Sequence, residues 1–365
     1  MSAQLEVIAA DRVLVIAPHP DDESIATGGL LQLARNAGAK LRVIVLTDGD
    51  NNPWPQRWIE KHWHIDARDR ARWGARRRGE AMDAMRRIGI SDEQMVFLGM
   101  PDLGLTDLLM HERRRPIELL RDELEKFAPT LLVMPALSDR HPDHSAAHIL
   151  VRLTFAQIGH TPNLFGFAVH GGGSGEPEAV AVLSDLQRDT KRAAILAHAS
   201  QMRLSQRRFE RYARNEETYW TIATQPVPDP HHPIQTTSQA RALQVKIMGR
   251  GWRRSLRGHD LFIVLEGNAG QHRRWQVPLG LRKKTTPVYD AVSGVPTMTA
   301  AVTGTRRNPE LNIALPREFD LRNGWIKIAR PQPDLWVLDR CGWQVIAPAP
   351  TNTSTAQQST CESNS

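Results

Sequence analysis

The run Val13-Leu14-Val15-Ile16-Ala17 passes directly into Pro18-His19-Pro20-Asp21-Asp22-Glu23, and this junction decides how the chain folds. Five consecutive apolar residues without polar alternation are the pattern of a strand covered on both faces. Similar runs occur at 41–46, 95–98, 131–134 and 164–169. Segments 24–37, 69–88, 116–127 and 145–157 separate them and read as helices, the first closing on Asn36-Ala37-Gly38, a C-terminal stop signal. Alternating strands and helices predict an α/β domain with a Rossmann-like, mostly parallel sheet flanked by helices. Ligands of such sheets bind where strands end and loops enter helices, so the acidic cluster after Ala17 falls at the functional edge.

Outward from that core, residues 48–66 contain Trp54, Trp58 and Trp63 together with two prolines. The segment is too long for a simple turn and reads as a lid or substrate wall. A first unit is expected over 1–224. The Pro- and His-containing stretch from 225 begins a linker that extends to 237. Beyond it the texture changes: 243–248, 261–265, 275–279 and 325–328 read as short strands with Gly, Asn and Pro between them. A smaller β-rich domain is expected over 238–348. Residues 349–365 are mostly Thr, Ser, Asn and Gln and are expected to be disordered.

A chain of 365 residues with 41% hydrophobic content can bury one large core and a second, smaller one. The net charge of +7 is compatible with anionic partners such as phosphates, nucleotide sugars, nucleic acid or acidic headgroups. That signal names a charge, not a ligand. The two cysteines, Cys341 and Cys361, exclude a disulfide framework and a Cys-rich zinc site. Any metal must therefore be held by histidines and carboxylates. The start Met1-Ser2-Ala3-Gln4-Leu5-Glu6 lacks the features of a signal peptide, and no run approaches a membrane span. A cytoplasmic protein is expected, with membrane contact at most peripheral.

The segment His19 to Glu23 packs one imidazole and three carboxylates where the first strand ends. His19 and Asp22, three apart, can both be aimed inward by a tight turn, while Asp21 between them stays unligated beside the same ion. Zinc accepts such N and O ligands, and a catalytic zinc keeps three protein ligands and one open position. A second set follows the run 131–134, in Ser138-Asp139-Arg140-His141-Pro142-Asp143-His144. Two such segments can meet if their strands are neighbours in the sheet. A lone His-Pro-Asp triplet is commonplace, since Asp and His favour turns and caps; two copies, each after a buried-strand pattern, point to a metal site.

These paired motifs resemble the PIG-L, or LmbE-like, family of zinc-dependent de-N-acetylases. The resemblance rests on His-Pro-Asp-Asp-Glu at 19–23 and His-Pro-Asp-His at 141–144, and runs from about Arg12 to Trp220. Weaker family-like stretches are Ala26-Thr27-Gly28-Gly29, an Arg-x-x-Glu pattern at Arg77 and Glu80, Leu98 to Asp102, and His198-Ala199-Ser200-Gln201. The resemblance implies that His19, Asp22 and His144 ligate zinc (Zn2+), that Asp21 is the general base and that His141 is a second catalytic group. It implies removal of acetyl from an N-acetylglucosamine-type sugar in a glycan, nucleotide sugar or other glycoconjugate, with amide hydrolysis on a related N-acylated glycoside as the alternative within the family. Nucleic acid is not an expected partner.

On the substrate side, arginines crowd from Arg68 to Arg87. Most read as a solvated helix face; Arg77 is expected near substrate, where a guanidinium can hold sugar oxygens or a phosphate. Asp102 is the expected partner of a sugar hydroxyl, with a plain turn residue as its alternative. Asp143 either orients a ligand histidine or caps the helix starting near Ser145. Glu23 either binds a histidine ring nitrogen or merely complements the helix N-terminus. Gly28-Gly29 either admits substrate or permits close helix packing. A non-catalytic metal protein that binds anions is the competing class, and the unligated Asp21 argues against it.

Overall fold

The structure is a computed structural model and describes residues 2–112, 114–171, 175–239, 241–248, 258–268, 270–279, 284–305, 308–329, 338–339 and 341–348. The expected tail at 349–365, with Cys361, lies outside the described residues. The first unit holds strands β1 (Ala3–Gln4), β2 (Arg12–Ala17), β3 (Lys40–Thr47), β4 (Met95–Met100), β5 (Leu131–Pro135), β6 (Asn163–Phe167), β7 (Ala179–Val182) and β8 (Glu216–Thr221). Its helices are α1 (Asp22–Asn36), α2 (Pro53–Glu60), α3 (Ala67–Ile88), α4 (Leu105–His111), α5 (Arg115–Phe127), α6 (Pro142–Ile158), α7 (Asp185–Ala197) and α8 (Ala199–Glu210).

The sheet order is β1-β7-β8-β6-β5-β2-β3-β4. β4, β3, β2, β5 and β6 run parallel, whereas β8 is antiparallel to both β6 and β7. Alternate residues of β2 feed two cores: Val13, Val15 and Ala17 meet α1 and α3, while Leu14 and Ile16 meet α4, α5 and α6. Helices on both faces explain why these strands are apolar throughout. After β2 the chain moves to β3 and β4 on one side; β5 and β6 lie on the other. The switch point therefore falls between β2 and β5, which pair directly through Val13–Leu131 and Val15–Val133. Both His-Pro-Asp motifs leave the carboxyl ends of these neighbouring strands, where open α/β sheets bind their ligands.

The second unit is a nine-stranded antiparallel sheet, with β9 (Ile234–Gln239), β10 (Ala242–Ile247), β11 (Asp260–Gly267), β12 (His272–Pro278), β13 (Thr285–Asp290), β14 (Pro296–Gly304), β15 (Pro309–Ala314), β16 (Leu321–Ala329) and β17 (Gln344–Ile346). The linker is shorter than the sequence suggests. β9 begins at Ile234, which is fully buried, so its pairing with β10 claims residues expected to be linker. The sheet curls until its edge strands meet: Thr236 Oγ1 donates to the Val345 carbonyl, and Gln344 Nε2 to that of Ile234. One apolar core fills the inside, while Val264, Trp325 and Trp343 join the core on the α6 face of the first unit. Among the described residues, no helix is long and apolar enough to cross a membrane.

Candidate metal centre

Pro18 to Asp21 turn sharply from β2 into α1. Asp22 Oδ2 accepts the His19 backbone N–H at 3.0 Å and lies 3.3 Å from His19 Nδ1. The same oxygen is 3.1 Å from His144 Nε2, at the start of α6. His144 Nε2 is fully buried and has no hydrogen-bond partner. His144 Nε2 and Asp22 Oδ2 thus stand close enough to face one shared ion. Two imidazole nitrogens and one carboxylate oxygen are a donor set that zinc accepts.

Each ring is fixed from behind. His19 Nε2 lies 3.2 Å from both Asp143 Oδ2 and Asp102 Oδ1. His144 Nδ1 lies 3.1 Å from Asp139 Oδ2, which also accepts the backbone N–H of Val169 at 2.7 Å. These carboxylates hold a ring proton at His19 Nε2 and at His144 Nδ1, so that His19 Nδ1 and His144 Nε2 are the nitrogens turned toward Asp22. Burial opposes a charge on His144, but Asp22 and Asp139 outweigh it and push its pKa up to about 10. The pocket is thus electrostatically prepared for a cation.

Asp21 caps α1 with φ 145°, a region that side-chain-bearing residues rarely adopt. The conformation is pinned because the Asp21 N–H donates to Glu23 Oε2 at 2.9 Å while its carbonyl accepts from Ser24 and Ile25. Burial raises the Asp21 carboxyl, the Arg77 guanidinium with Nη2 3.1 Å from Oδ2 pulls against it, and the carboxyl is left at about 6. Glu23 is fully buried and contacts His198 Nε2 at 3.1 Å, so it does meet a histidine, though not one of the converging pair.

His141 caps α6, its Nδ1 accepting the Asp143 N–H at 3.2 Å. In the neutral ring Nε2 then carries the proton. Burial, then the neighbouring His19, His144 and His170, hold its pKa well below the usual value. It is therefore a neutral donor. His19, His141 and His144 nevertheless bring ligand atoms within 4.8 Å of one another.

Three readings change in place or partner. Arg77 is buried, donating to the Gly49 and Pro20 carbonyls and to Asp21, so its guanidinium faces the Asp21 carboxyl. Asp102 is buried against His19 and accepts the Asn51 N–H at 2.8 Å; burial opposes its charge, but His19 holds its carboxyl below the usual range. Both residues still line the cavity. Asp143 orients His19 and also accepts from Leu103 and Leu105, so the helix it serves is α4, not the one starting near Ser145. Gly28 and Gly29 serve packing: a Cβ on Gly29 would stand 2.4 Å from Leu183 Cδ1.

Two of the weak motifs meet in space, since Ser200 donates through its backbone N–H and its Oγ to Glu80 at 3.0 and 2.6 Å. Asp139 stands inside the second motif segment, yet only the fold reveals its grip on His144. His170, half-buried with its ring 5.0 Å from that of His141, carries no sequence signal. The whole arrangement opens into a cavity of about 280 Å³ bounded outside by Trp54, Arg208 and Tyr212.

Residues 14–155 match the family model described as PIG-L: GlcNAc-PI de-N-acetylase. The chain is 30% identical over 158 residues to the 1D-myo-inositol 2-acetamido-2-deoxy-alpha-D-glucopyranoside deacetylase of Corynebacterium urealyticum, covering 38% of this chain and 46% of that one. A protein of the same description from Thermomonospora curvata is 26% identical over 279 residues, 71% of this chain and 86% of its own. The chain spans about half the length of the first curated relatives it matches. The crystal structure of an A40926 pseudoaglycone deacetylase has a TM-score of 0.47 at 20% identity, covering 59% of this chain and 98% of that one. Residues 14–155 are a PIG-L family domain, and this domain holds both His-Pro-Asp motifs.

Proposed function

We propose that this protein is a zinc-dependent hydrolase that removes the acetyl group from an N-acetylglucosamine-type sugar carried in a glycan, nucleotide sugar or other glycoconjugate. The observation that carries the reading is the convergence of His19 Nδ1 and His144 Nε2 on Asp22 Oδ2, at 3.3 and 3.1 Å, beside the buried Asp21. His19, Asp22 and His144 would hold the metal. When bound, zinc would lower the pKa of a water toward about 7 and polarise the acyl carbonyl.

The rest of the chemistry belongs to the chain. Asp21, with a pKa of about 6, is ionised at neutral pH yet basic enough to take a proton from water and return it to the departing amine. Arg77 fixes that carboxylate and tunes its basicity. His141, with Nε2–H available, donates to the acyl oxygen as negative charge develops there. The cavity of about 280 Å³ sits near the lower bound of ligand sites, which run from about 300 Å³ upward, and suits one sugar ring with its acyl group. The curated relatives named above act, by their descriptions, on an acetamido sugar linked to inositol.

The test is metal analysis of the purified protein, then amine release over a panel of N-acetylated sugars, nucleotide sugars and glycolipids, with Asp21→Ala alongside. Zinc at one equivalent, amine release by the wild type and its loss in the variant are expected. A protein that takes up no divalent metal, or that releases no amine from any N-acylated sugar when loaded, refutes the proposal.

A further inference from the structure

The mouth of the cavity carries a surface that the chemistry of acyl transfer does not use. α2 buries Pro55 and Gln56 and turns its indoles outward. Its inward side chain Gln56 is fully buried, with Nε2 donating to the Asp69 carbonyl at 2.8 Å and to Glu60 at 3.0 Å. Its outward face bears Trp54 and Trp58, four residues apart, at 57% and 65% exposure, followed by Trp63 at 68%. A solvated helix normally turns its polar side out, and indoles this exposed prefer an environment that is apolar at one end and wet at the other.

Arginines accompany the indoles on α2 and follow on α8. Arg57 stacks 5.1 Å over the Trp54 ring and donates to the Trp63 carbonyl. Across the mouth, α8 packs on α2 and exposes Arg203, Arg207 and Arg208, with Arg211 and Arg214 just beyond. Two of the acidic residues nearby are paired, Glu210 with Arg192 at 2.8 Å and Glu60 with Arg72 at 2.5 Å. Trp54 and Arg208 line the same cavity, so indoles and arginines share one rim.

We propose that the rim formed by α2, Trp63 and α8 docks on an anionic lipid bilayer, with the indoles seated at the headgroup level and the arginines facing acidic headgroups. Aromatic side chains beside a basic face are the combination that holds a helix in the plane of a membrane interface. Docking there turns the cavity mouth toward the lipid surface. The inference concerns binding and does not depend on the hydrolytic reading.

The test is co-sedimentation of the full chain with vesicles of phosphatidylcholine alone and of phosphatidylcholine with phosphatidylglycerol, read without any turnover. Binding only to the anionic vesicles, falling as salt rises, is expected. Trp58→Ser with Trp63→Ser, neither of which lines the cavity, should lower the partition coefficient about tenfold. Arg207→Gln with Arg211→Gln should lower it roughly fivefold per charge, since a cation near such a surface contributes about that much. Wild-type binding that is absent, equal on both vesicles, or unchanged in both double variants overturns the proposal. So does tight, salt-sensitive binding to heparin or single-stranded DNA with no anionic vesicle binding, which assigns the rim to a soluble polyanion.

Discussion

Replacing Arg77 by methionine keeps most of the buried volume and removes the charge 3.1 Å from Asp21 Oδ2. Asp21 acts as a base only when ionised, so kcat/KM should rise with pH through its pKa of about 6. Burial sets that value high and Arg77 pulls it down; without the guanidinium the pKa moves further up, and the acid limb moves with it. Two unit charges at 3.1 Å interact by about 5 kcal/mol at an effective dielectric constant of about 20. That is a ceiling, because the guanidinium charge is delocalised and also faces the carbonyls of Gly49 and Pro20. A carboxylate beside an arginine usually moves by about 1–3 units. A rise of about two units leaves roughly a tenth of the base ionised at pH 7, and nearly all of it at about pH 10. The assay is kcat/KM of the metal-loaded enzyme from pH 5 to pH 10, wild type against variant. The expected outcome is a roughly tenfold loss at neutral pH that recovers at high pH, with KM little changed. A loss equal at every pH, with the limb still near 6 and KM raised, would refute the argument and return Arg77 to the substrate.

Asp22→Asn or His144→Ala should abolish stable metal retention, measured by elemental analysis after dialysis, and with it amine release. Asp139→Asn removes the carboxylate behind His144 and should weaken metal affinity about 10–100-fold in competition with a chromophoric chelator; unchanged affinity would mean the ring is held by packing alone. Gly29→Ala forces a Cβ to 2.4 Å from Leu183 Cδ1 and should cost about 1–3 kcal/mol, seen as a lowered thermal midpoint with metal content retained.

The centre of the first sheet was legible because β2, β3 and β5 are buried on both faces, leaving apolar runs that need no knowledge of their neighbours. The pairing of β2 with β5 could only be conditional in the sequence, since strand adjacency is a tertiary fact. β7 is four residues long, and β13 and β14 are rich in Thr, Pro and small residues, so a hydrophobic run could not announce them. α2 lay hidden in the Trp segment because two prolines and three tryptophans read as a loop; Pro53 instead starts the helix at its first position. His19, Asp22 and His144 each stand in a motif after a strand, which is why the sequence alone singles them out. It does not single out Asp139 and His170, for their value lies in contacts across the sheet. Arg77 was placed at the right cavity with the wrong neighbour: a charge pattern on α3 says where a guanidinium starts, not which carboxylate it reaches.

The two halves of the site meet across the β2–β5 seam, and His19 and Asp143 are 124 residues apart in the chain. Closing a loop of that size costs entropy before any contact offsets it, and such long-range parallel pairing is slow to form. Completing the carboxylate cluster therefore requires the chain to cross back from β4 and pair β5 with β2. Appearance of the intact donor set during refolding should accordingly lag behind the bulk of helix formation, making it a late reporter of a native first unit.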